Sequence, residues 1–443
     1  MIYDVIIAGA GPGGYVAAER AGAKGKSVLL IEKAHLGGVC TNEGCIPTKS
    51  LLNAAKQYVH SVEAKKFGVH VDGVQFHLGE AMAWKQDVIE TLRKGIAYLM
   101  KKHGVEVLTG EAEFLDRRRV RVKNVVYQGR NVIIATGSSA AVPPIPGASS
   151  PHVMTNREIL HITELPKKLV IIGGGYIGME FASFFSHVGV DVHVVEMMDE
   201  IVPMMDREFA KILRKAMSNV TYHLGAKVEK IDDGHVFFSV GGKTASLQAD
   251  SVLMSVGRRP NVQGLEHLGL DIRPQGIKVN ERMQTNLPGV YAIGDVNGES
   301  LLAHSASRMG EVAVNTICGQ PDRMRYDAIP WVVYTLPEVA GCGLTEQDAR
   351  QQGLPVKTAT VQMRANGRFL AEYGKRSPGV CKVVVDAETN IVKGVHLLGA
   401  TSSEMIYGVA AMLEAELRVQ DIQEIIFPHP TVSEIIKDAF WEL

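Results

Sequence analysis

Residues 3–32 read "YDVIIAGAGPGGYVAAERAGAKGKSVLLIE", and residues 168–196 read "KLVIIGGGYIGMEFASFFSHVGVDVHVVE". Each opens on a short apolar run, passes through Gly-x-Gly-x-x-Gly, and continues with apolar residues at helical spacing. Each then closes on a second apolar run ending in an acid, Glu32 or Glu196. The last glycine of the triad, Gly14 or Gly178, precedes its acid by 18 residues in both copies. The same strand–turn–helix–strand unit is used twice, and that repeat constrains the fold to two parallel-sheet units. The first glycine (Gly9, Gly173) permits a tight turn, and the second (Gly11, Gly175) lets backbone approach a pyrophosphate. The third (Gly14, Gly178) lets the helix lie close to the strand. The helix N-terminus offers N–H groups and a positive dipole end to phosphates, and the terminal carboxylate holds ribose hydroxyls. One Gly-x-Gly-x-x-Gly also fits an ordinary glycine-rich turn. Two copies in full context predict two bound dinucleotides. Glu196 is followed by Met197 and Met198, with no arginine to receive a 2′-phosphate, so the second unit is expected to take NAD and not NADP.

Just beyond the first unit stands "GGVCTNEGCIPTKS", residues 37–50. Zinc sites space a near cysteine pair by two to four residues and repeat it, whereas Cys318, Cys342 and Cys381 stand alone. No metal site is expected, and those three are expected to be inert thiols. A structural disulfide suits a small secreted domain better than a chain of 443 residues. The remaining reading of Cys40 and Cys45 is a redox-active pair, for which a flavin in the first unit would be the electron carrier. Five residues of regular helix would point the two side chains about 140° apart. A bond between them therefore needs a distorted turn, for which Asn42 and Gly44 tolerate unusual φ and Pro47 suits the first turn of the following helix. Glu43, inside the loop, is expected to face solvent, because Glu is almost never buried unpaired.

The rest of the chain is arranged around these units. "GVEVLTGEAEFLDRRRVRV" and "VVYQGRNVIIATGS" read as an antiparallel meander returning to the first unit, and "VPPIPG" (142–147) as a rigid linker. "SVGRRPN" and "GVYAIGDV" are strand–turn stretches that bring Asp295 back to the first unit, and from about residue 326 the pattern is α+β. The expected fold class is α/β: two Rossmann-like dinucleotide-binding domains and an α+β C-terminal domain. The expected spans are 1–146, 147–265, a central segment 266–325 returning to the first domain, and 326–443. A formal net charge of −1 argues against a nucleic-acid partner, and "RRRVR" (117–121) reads as a solvated strand edge. The absence of an apolar run of about 18 residues argues against a membrane span. Few cysteines and a start without a basic leader make the cytoplasm the expected location.

Eight stretches, from "GPGGYVAAERAGAKG" and "GGVCTNEGCIPTKSLL" through "IATGS", "GGGYIGMEFASFF", "VGRRPN", "AIGDV" and "LLAHSA" to "HPTVSE", carry a family resemblance. In order and spacing the chain resembles the dimeric flavoprotein disulfide reductases, the class I pyridine nucleotide–disulfide oxidoreductases, and their dihydrolipoamide dehydrogenase branch in particular. The resemblance implies FAD in the first domain, NAD in the second, and a C-terminal domain that pairs two chains. It makes Cys40 the interchange thiol and Cys45 the thiol against the flavin. Lys49 would lie at the flavin N5 edge, paired with Glu180. Asp295 would bind the ribityl chain. Gly13, Lys33, Gly38 and Ala112, then Thr136, Gly137 and Ser138, and the backbone of Leu302, Ala303 and His304 would complete the FAD site. Tyr176, Ile177, Val228 and Gly257 would line the NAD path. His429 and Glu434 would form an acid–base dyad, given by each chain to its partner's cysteines. The implied activity is oxidation of dihydrolipoyl groups on a lipoyl-bearing protein of a 2-oxo-acid dehydrogenase or glycine cleavage complex, with NAD⁺ reduced. Two departures stand out: Phe427 and Pro428 precede His429 where the family often has a second histidine, and Glu43 occupies an often apolar position. A glutathione-type reductase is the alternative, disfavoured by Glu196 without arginines. A redox-silent flavin-binding scaffold is disfavoured by the presence of Cys40, Cys45 and His429.

Overall fold

Apolar runs of five to seven residues, each ended by glycine or an acid, form parallel strands buried on both faces. The computed structural model describes residues 2–443. Strands β1 (Ile2–Ala8) and β2 (Val28–Glu32) pair in parallel across helix α1 (Pro12–Ala23). After β2 come α2 (Gly38–Glu43), α3 (Cys45–Glu63) and the long α4 (Leu78–Lys102). The next strand, β3 (Glu106–Thr109), pairs in parallel with β2. This corrects the expected meander. The α4 crossover supplies the length a parallel return needs, so "GVEVLT" extends the first sheet. The antiparallel meander is confined to β4 (Glu113–Phe114), β5 (Arg119–Val122) and β6 (Val125–Ile134). Sheet order is β3-β2-β1-β6-β5-β4, and the strand Val290–Ala292 pairs in parallel with the end of β6.

A short strand, β7 (Ser138–Ala140), follows, and residues 142–147 run without regular structure. Then come β8 (Val153–Met154), the single-turn helix α5 (Asn156–Ile159), β9 (Lys168–Ile172), α6 (Tyr176–His187) and β10 (Asp191–Val195). The second sheet has β9 and β10 at its centre, with Val220–His223 on one side and Ser251–Met254 then β8 on the other. An antiparallel three-stranded sheet covers residues 226–248.

The two units match atom for atom at their turns. Gly9 and Gly173 sit at φ +105° and +104°, where an added Cβ would lie 2.2 Å from Ala135 O and 2.3 Å from Ser255 O. Their N–H groups donate to Ile31 O (2.8 Å) and Val195 O (2.9 Å). Only glycine satisfies both the positive φ and the close approach. The second unit lacks one feature of the first: α1 is crossed closely by a helix spanning Ala303–Ile317. A Cβ on Gly310 of that helix would lie 2.6 Å from Gly13 O. Gly13 therefore serves helix packing, and its counterpart in the second unit is Ile177.

From Pro330 to Leu398 the chain forms a five-stranded antiparallel sheet, backed by helices Ser402–Glu414 and Glu434–Trp441. Phe369, Val383, Val395, Leu397, Ile435 and Phe440 fill its core. Among the described residues, no helix is long and apolar enough to cross a membrane.

Candidate active site

The cysteine loop is pressed onto the first dinucleotide turn. Gly37 and Gly38 take φ of +94° and +56°, and a Cβ on Gly38 would lie 2.6 Å from Gly11 Cα. Gly37 N–H donates to Ala10 O (2.8 Å). Cys40 lies within α2 and Cys45 begins α3. Between them Gly44, at φ −146° and ψ −108°, breaks the helix and brings the two sulfurs together. Cys40 and Cys45 are unbridged, and each perturbs the other's ionisation. The neighbouring Cys40 thiol lowers the Cys45 pKa to about 7 against the effect of burial, aided by the Lys49 charge. Cys45, with burial, raises the Cys40 pKa in turn. Cys45 also stands at the start of a helix, where the N-terminal dipole end favours a thiolate.

Two expectations for the loop are corrected. Asn42 does not take an unusual φ; it is helical and buried. Its amide donates to Leu36 O (3.1 Å) and Gly38 O (2.7 Å) and its oxygen accepts Arg93 Nε–H of α4. Those three bonds offset the weak helix propensity of asparagine. Glu43 faces solvent only in part. Its side chain is 27% exposed and bonded to Arg157 at 2.8 Å, and its carbonyl accepts the Asn156 amide at 2.7 Å.

Lys49, one turn after Cys45, bonds both oxygens of Glu180 at 2.7 and 2.8 Å. Burial pulls its pKa down, but the Glu180 charge and hydrogen bond raise it further, so the ammonium persists. Glu180 also accepts the Tyr334 N–H at 3.1 Å, and Lys49 lies 4.5 Å from the Tyr334 ring centroid. Here α3, α6 and the C-terminal sheet meet at one ion pair. Sequence reasoning missed Tyr334, because nothing in "VVYTLPE" marks that tyrosine.

The strand-end acids are held alike. Glu32 accepts the N–H groups of Ala10 and Ala34, each at 2.8 Å. Glu196 accepts those of Gly174 (2.5 Å) and Met198 (2.7 Å). Among the described residues no side chain caps α1 or α6, so the first N–H groups of both helices remain available. The helix Ala303–Ile317 likewise starts without a side-chain cap. The His304 ring is committed to Pro330 O at 2.7 Å, leaving the backbone of Leu302, Ala303 and His304 facing outward from the helix start.

Asp295 accepts the Ser138 hydroxyl, and Arg258 reaches both: its Nε donates to Ser138 Oγ at 2.7 Å and stands 3.6 Å from Asp295. Arg258 was missed as a site residue, although "GRRPN" signalled its neighbourhood. Thr136 and Asn261 exchange two hydrogen bonds, 2.8 and 2.9 Å, that frame Gly137 at φ +69°. Ala112 is half-buried under the first sheet, whereas Lys33 lies at the surface, 3.8 Å from Glu111. Tyr176 hydrogen-bonds Met204, and Gly257, at φ +110°, has open space on its Cβ side. The Val228 side chain points into the core with Val195 and Val252, leaving its backbone alone for any ligand.

His429 is bonded within its own domain. Its Nδ1 bonds Glu434 at 2.9 and 3.2 Å, and its ring is 82% exposed. The Thr431 N–H donates to Glu434 at 2.9 Å and, with His429, keeps that carboxyl below its usual pKa. The bond through Nδ1 leaves Nε2 free of the Glu434 carboxylate. Ile426 and Tyr407, 91% and 79% exposed, lie in the same domain.

The sequence model described as pyridine nucleotide-disulphide oxidoreductase matches residues 3–310, and the dimerisation domain of that family matches 329–440. The dihydrolipoyl dehydrogenase of Bacillus subtilis is 38% identical over 98% of this chain and 95% of that one. The dihydrolipoyl dehydrogenase of Thermus scotoductus is 41% identical over 99% and 96%. Among solved structures, the HOCl-induced flavoprotein disulfide reductase RclA from Escherichia coli aligns with TM-score 0.88 and 30% identity over 99% of each chain.

Proposed function

Because this chain belongs to the pyridine nucleotide-disulphide oxidoreductase family, we propose that it is a dihydrolipoamide dehydrogenase, oxidising protein-bound dihydrolipoyl groups and reducing NAD⁺. The observation that carries the redox reading is the placement of Cys40 and Cys45 on either side of the Gly44 helix break, on a loop pressed against the first dinucleotide turn. The choice of lipoyl substrate rests on similarity to the dihydrolipoyl dehydrogenases, and that of NAD on Glu196. Residues 1–146 and 266–325 form the FAD-binding domain in this reading, 147–265 the NAD-binding domain, and 326–443 the dimerisation domain.

The residues present fit both cofactors. The uncapped start of α1, with Gly11 and Gly14, suits the FAD pyrophosphate, Glu32 its ribose, and Asp295 its ribityl chain. Gly38, pressed onto Gly11, keeps that approach free of side chains. The start of α6 and Glu196 offer the same set to NAD. FAD, when bound, supplies a two-electron relay between the reduced cysteines and NAD⁺.

The chain's own groups do the rest. With the Cys40–Cys45 disulfide closed, His429 Nε2 takes the proton of one substrate thiol, and the thiolate attacks Cys40 Sγ. The S–S bond breaks, and Cys45 leaves as a thiolate facing the Lys49 ammonium. The second substrate sulfur attacks the mixed disulfide and displaces Cys40, which leaves with that thiol's proton as a neutral thiol, and the lipoyl disulfide closes. Two electrons have then passed to the cysteines. Glu434 holds the imidazole in place and stabilises its cation. In this reading a second copy of the chain, paired through the dimerisation domain, brings its His429 to the cysteine pair.

Nucleotide choice tests the Glu196 assignment. NAD⁺ is expected to exceed NADP⁺ by at least about 100-fold in kcat/KM, because opposing a fixed carboxylate to a phosphate costs several kcal/mol. Glu196→Ser with Met197→Arg should narrow that gap by about tenfold or more. A wild-type preference for NADP⁺ sinks the assignment.

A further inference from the structure

His429 stands on a stretch, residues 425–433, that has no regular structure, and Glu434 opens the helix that follows it. An exposed imidazole is thus presented without a helix or strand beneath it. The hydrogen bonds that hold the stretch converge on Thr431. Its N–H donates to Glu434 Oε2 at 2.9 Å and its hydroxyl to Pro428 O at 2.8 Å. Its carbonyl accepts the Asn366 amide at 2.9 Å, from 65 residues earlier in the chain. Asn366 is buried and caps the helix Gly367–Tyr373. Its Oδ1 accepts the Phe369 N–H at 2.9 Å, and its Nδ2 is the atom that reaches Thr431. Its backbone is fixed on both sides, the N–H donating to Met363 O (2.9 Å) and the carbonyl accepting the Leu370 N–H (3.0 Å). Met363 and Phe369 are fully buried in the same core as Val432 and Ile435. One amide therefore ties the packed interior of the domain to the residue that holds Glu434. Helix capping accounts for the acceptor half of Asn366 alone. Asp and Ser cap as well, and of these residues only Asn carries an N–H donor beside its acceptor.

We infer that Asn366 is a positioning residue for the His429–Glu434 dyad: through the Thr431 carbonyl it fixes the residue whose N–H holds the Glu434 carboxylate against His429 Nδ1. This rests on His429 being the base in dihydrolipoyl oxidation. A hydrogen bond of this kind is worth up to about tenfold in a local equilibrium.

The test separates the two halves of Asn366 in the full-length enzyme. Asn366→Asp keeps the cap on the Phe369 N–H and removes the donor to Thr431. Asn366→Ser keeps a capping oxygen, shortens the side chain by one atom and adds no charge. Both are expected to fold, because the cap is retained. Amide hydrogen exchange, read on peptides covering 425–433, should quicken by up to about tenfold in both variants, with the strands of the C-terminal sheet unchanged. Both should lose up to about tenfold in kcat/KM with dihydrolipoamide. Combined with His429→Gln, neither should cost more than about twofold further, because an absent base cannot be misplaced. An equal loss in both backgrounds marks a general structural role and overturns the inference. Exchange at 425–433 that matches wild type in both variants also overturns it, as does a loss confined to Asn366→Asp, which points to the added charge. If His429→Gln leaves turnover intact, the reading of His429 as the base falls and takes the inference with it. If His429→Gln impairs turnover and the Asn366 variants match wild type, the inference alone falls.

Discussion

Serine at position 45 is expected to remove at least about 10⁴-fold of dihydrolipoamide-dependent NAD⁺ reduction, the scale that loss of an essential nucleophile reaches elsewhere. Without the Cys45 sulfur no disulfide can form, and no bond remains for the substrate thiolate to break. Cys40→Ser should be as severe in turnover, yet the two variants differ in a second readout. In Cys40→Ser the remaining Cys45 still faces Lys49 and a hydroxyl donor, so its alkylation should keep a midpoint not far from pH 7. In Cys45→Ser the remaining Cys40 loses its sulfur partner but stays buried, and should react as a thiol well above pH 8. The opposite pattern would exchange the two roles.

His429→Gln is expected to lower kcat/KM with dihydrolipoamide by about 10²–10⁴-fold, the usual size of a general-base contribution, and to flatten its pH dependence. Glu434→Gln should cost less, because it disturbs the orientation and the cation of His429 without removing the base. The placement of His429, exposed and bonded within its own domain, predicts a further result. Dimers formed by dissociating and remixing Cys45→Ser with His429→Gln should regain roughly a quarter of wild-type activity. Half of such dimers are mixed, and each mixed dimer holds one intact site of its two. Sites completed within one chain would show no recovery.

Much of this arrangement was legible before any coordinates because glycine at a tight, crowded turn has no substitute. Gly9 and Gly173 sit within a degree of each other in φ and against equivalent carbonyls, so the repeat in letters is a repeat in geometry. Lys49 with Glu180, and His429 with Glu434, were reached through motif resemblance and are bonded as expected. What failed depended on partners remote in sequence. Asn42 carries a turn propensity, but Arg93, 51 residues later, holds it in a helix. Glu43 alone reads as a solvent-facing residue, and Arg157 pairs with it at the surface, leaving it partly exposed. β3 alternates like a hairpin strand, and the preceding helix makes it a parallel one. Arg258 and Tyr334 contribute through pairings that local pattern does not encode.

The most direct measurement is steady-state turnover of the purified protein in two assays side by side: NAD⁺ reduction by dihydrolipoamide, and glutathione disulfide reduction by NADH or NADPH. Dihydrolipoamide with NAD⁺ should give a kcat/KM in the range of efficient enzymes, about 10⁴ M⁻¹s⁻¹ or more. Glutathione disulfide should give a value lower by orders of magnitude with either nucleotide. Efficient glutathione disulfide reduction with NADPH, and none of dihydrolipoamide-driven NAD⁺ reduction, would contradict the account.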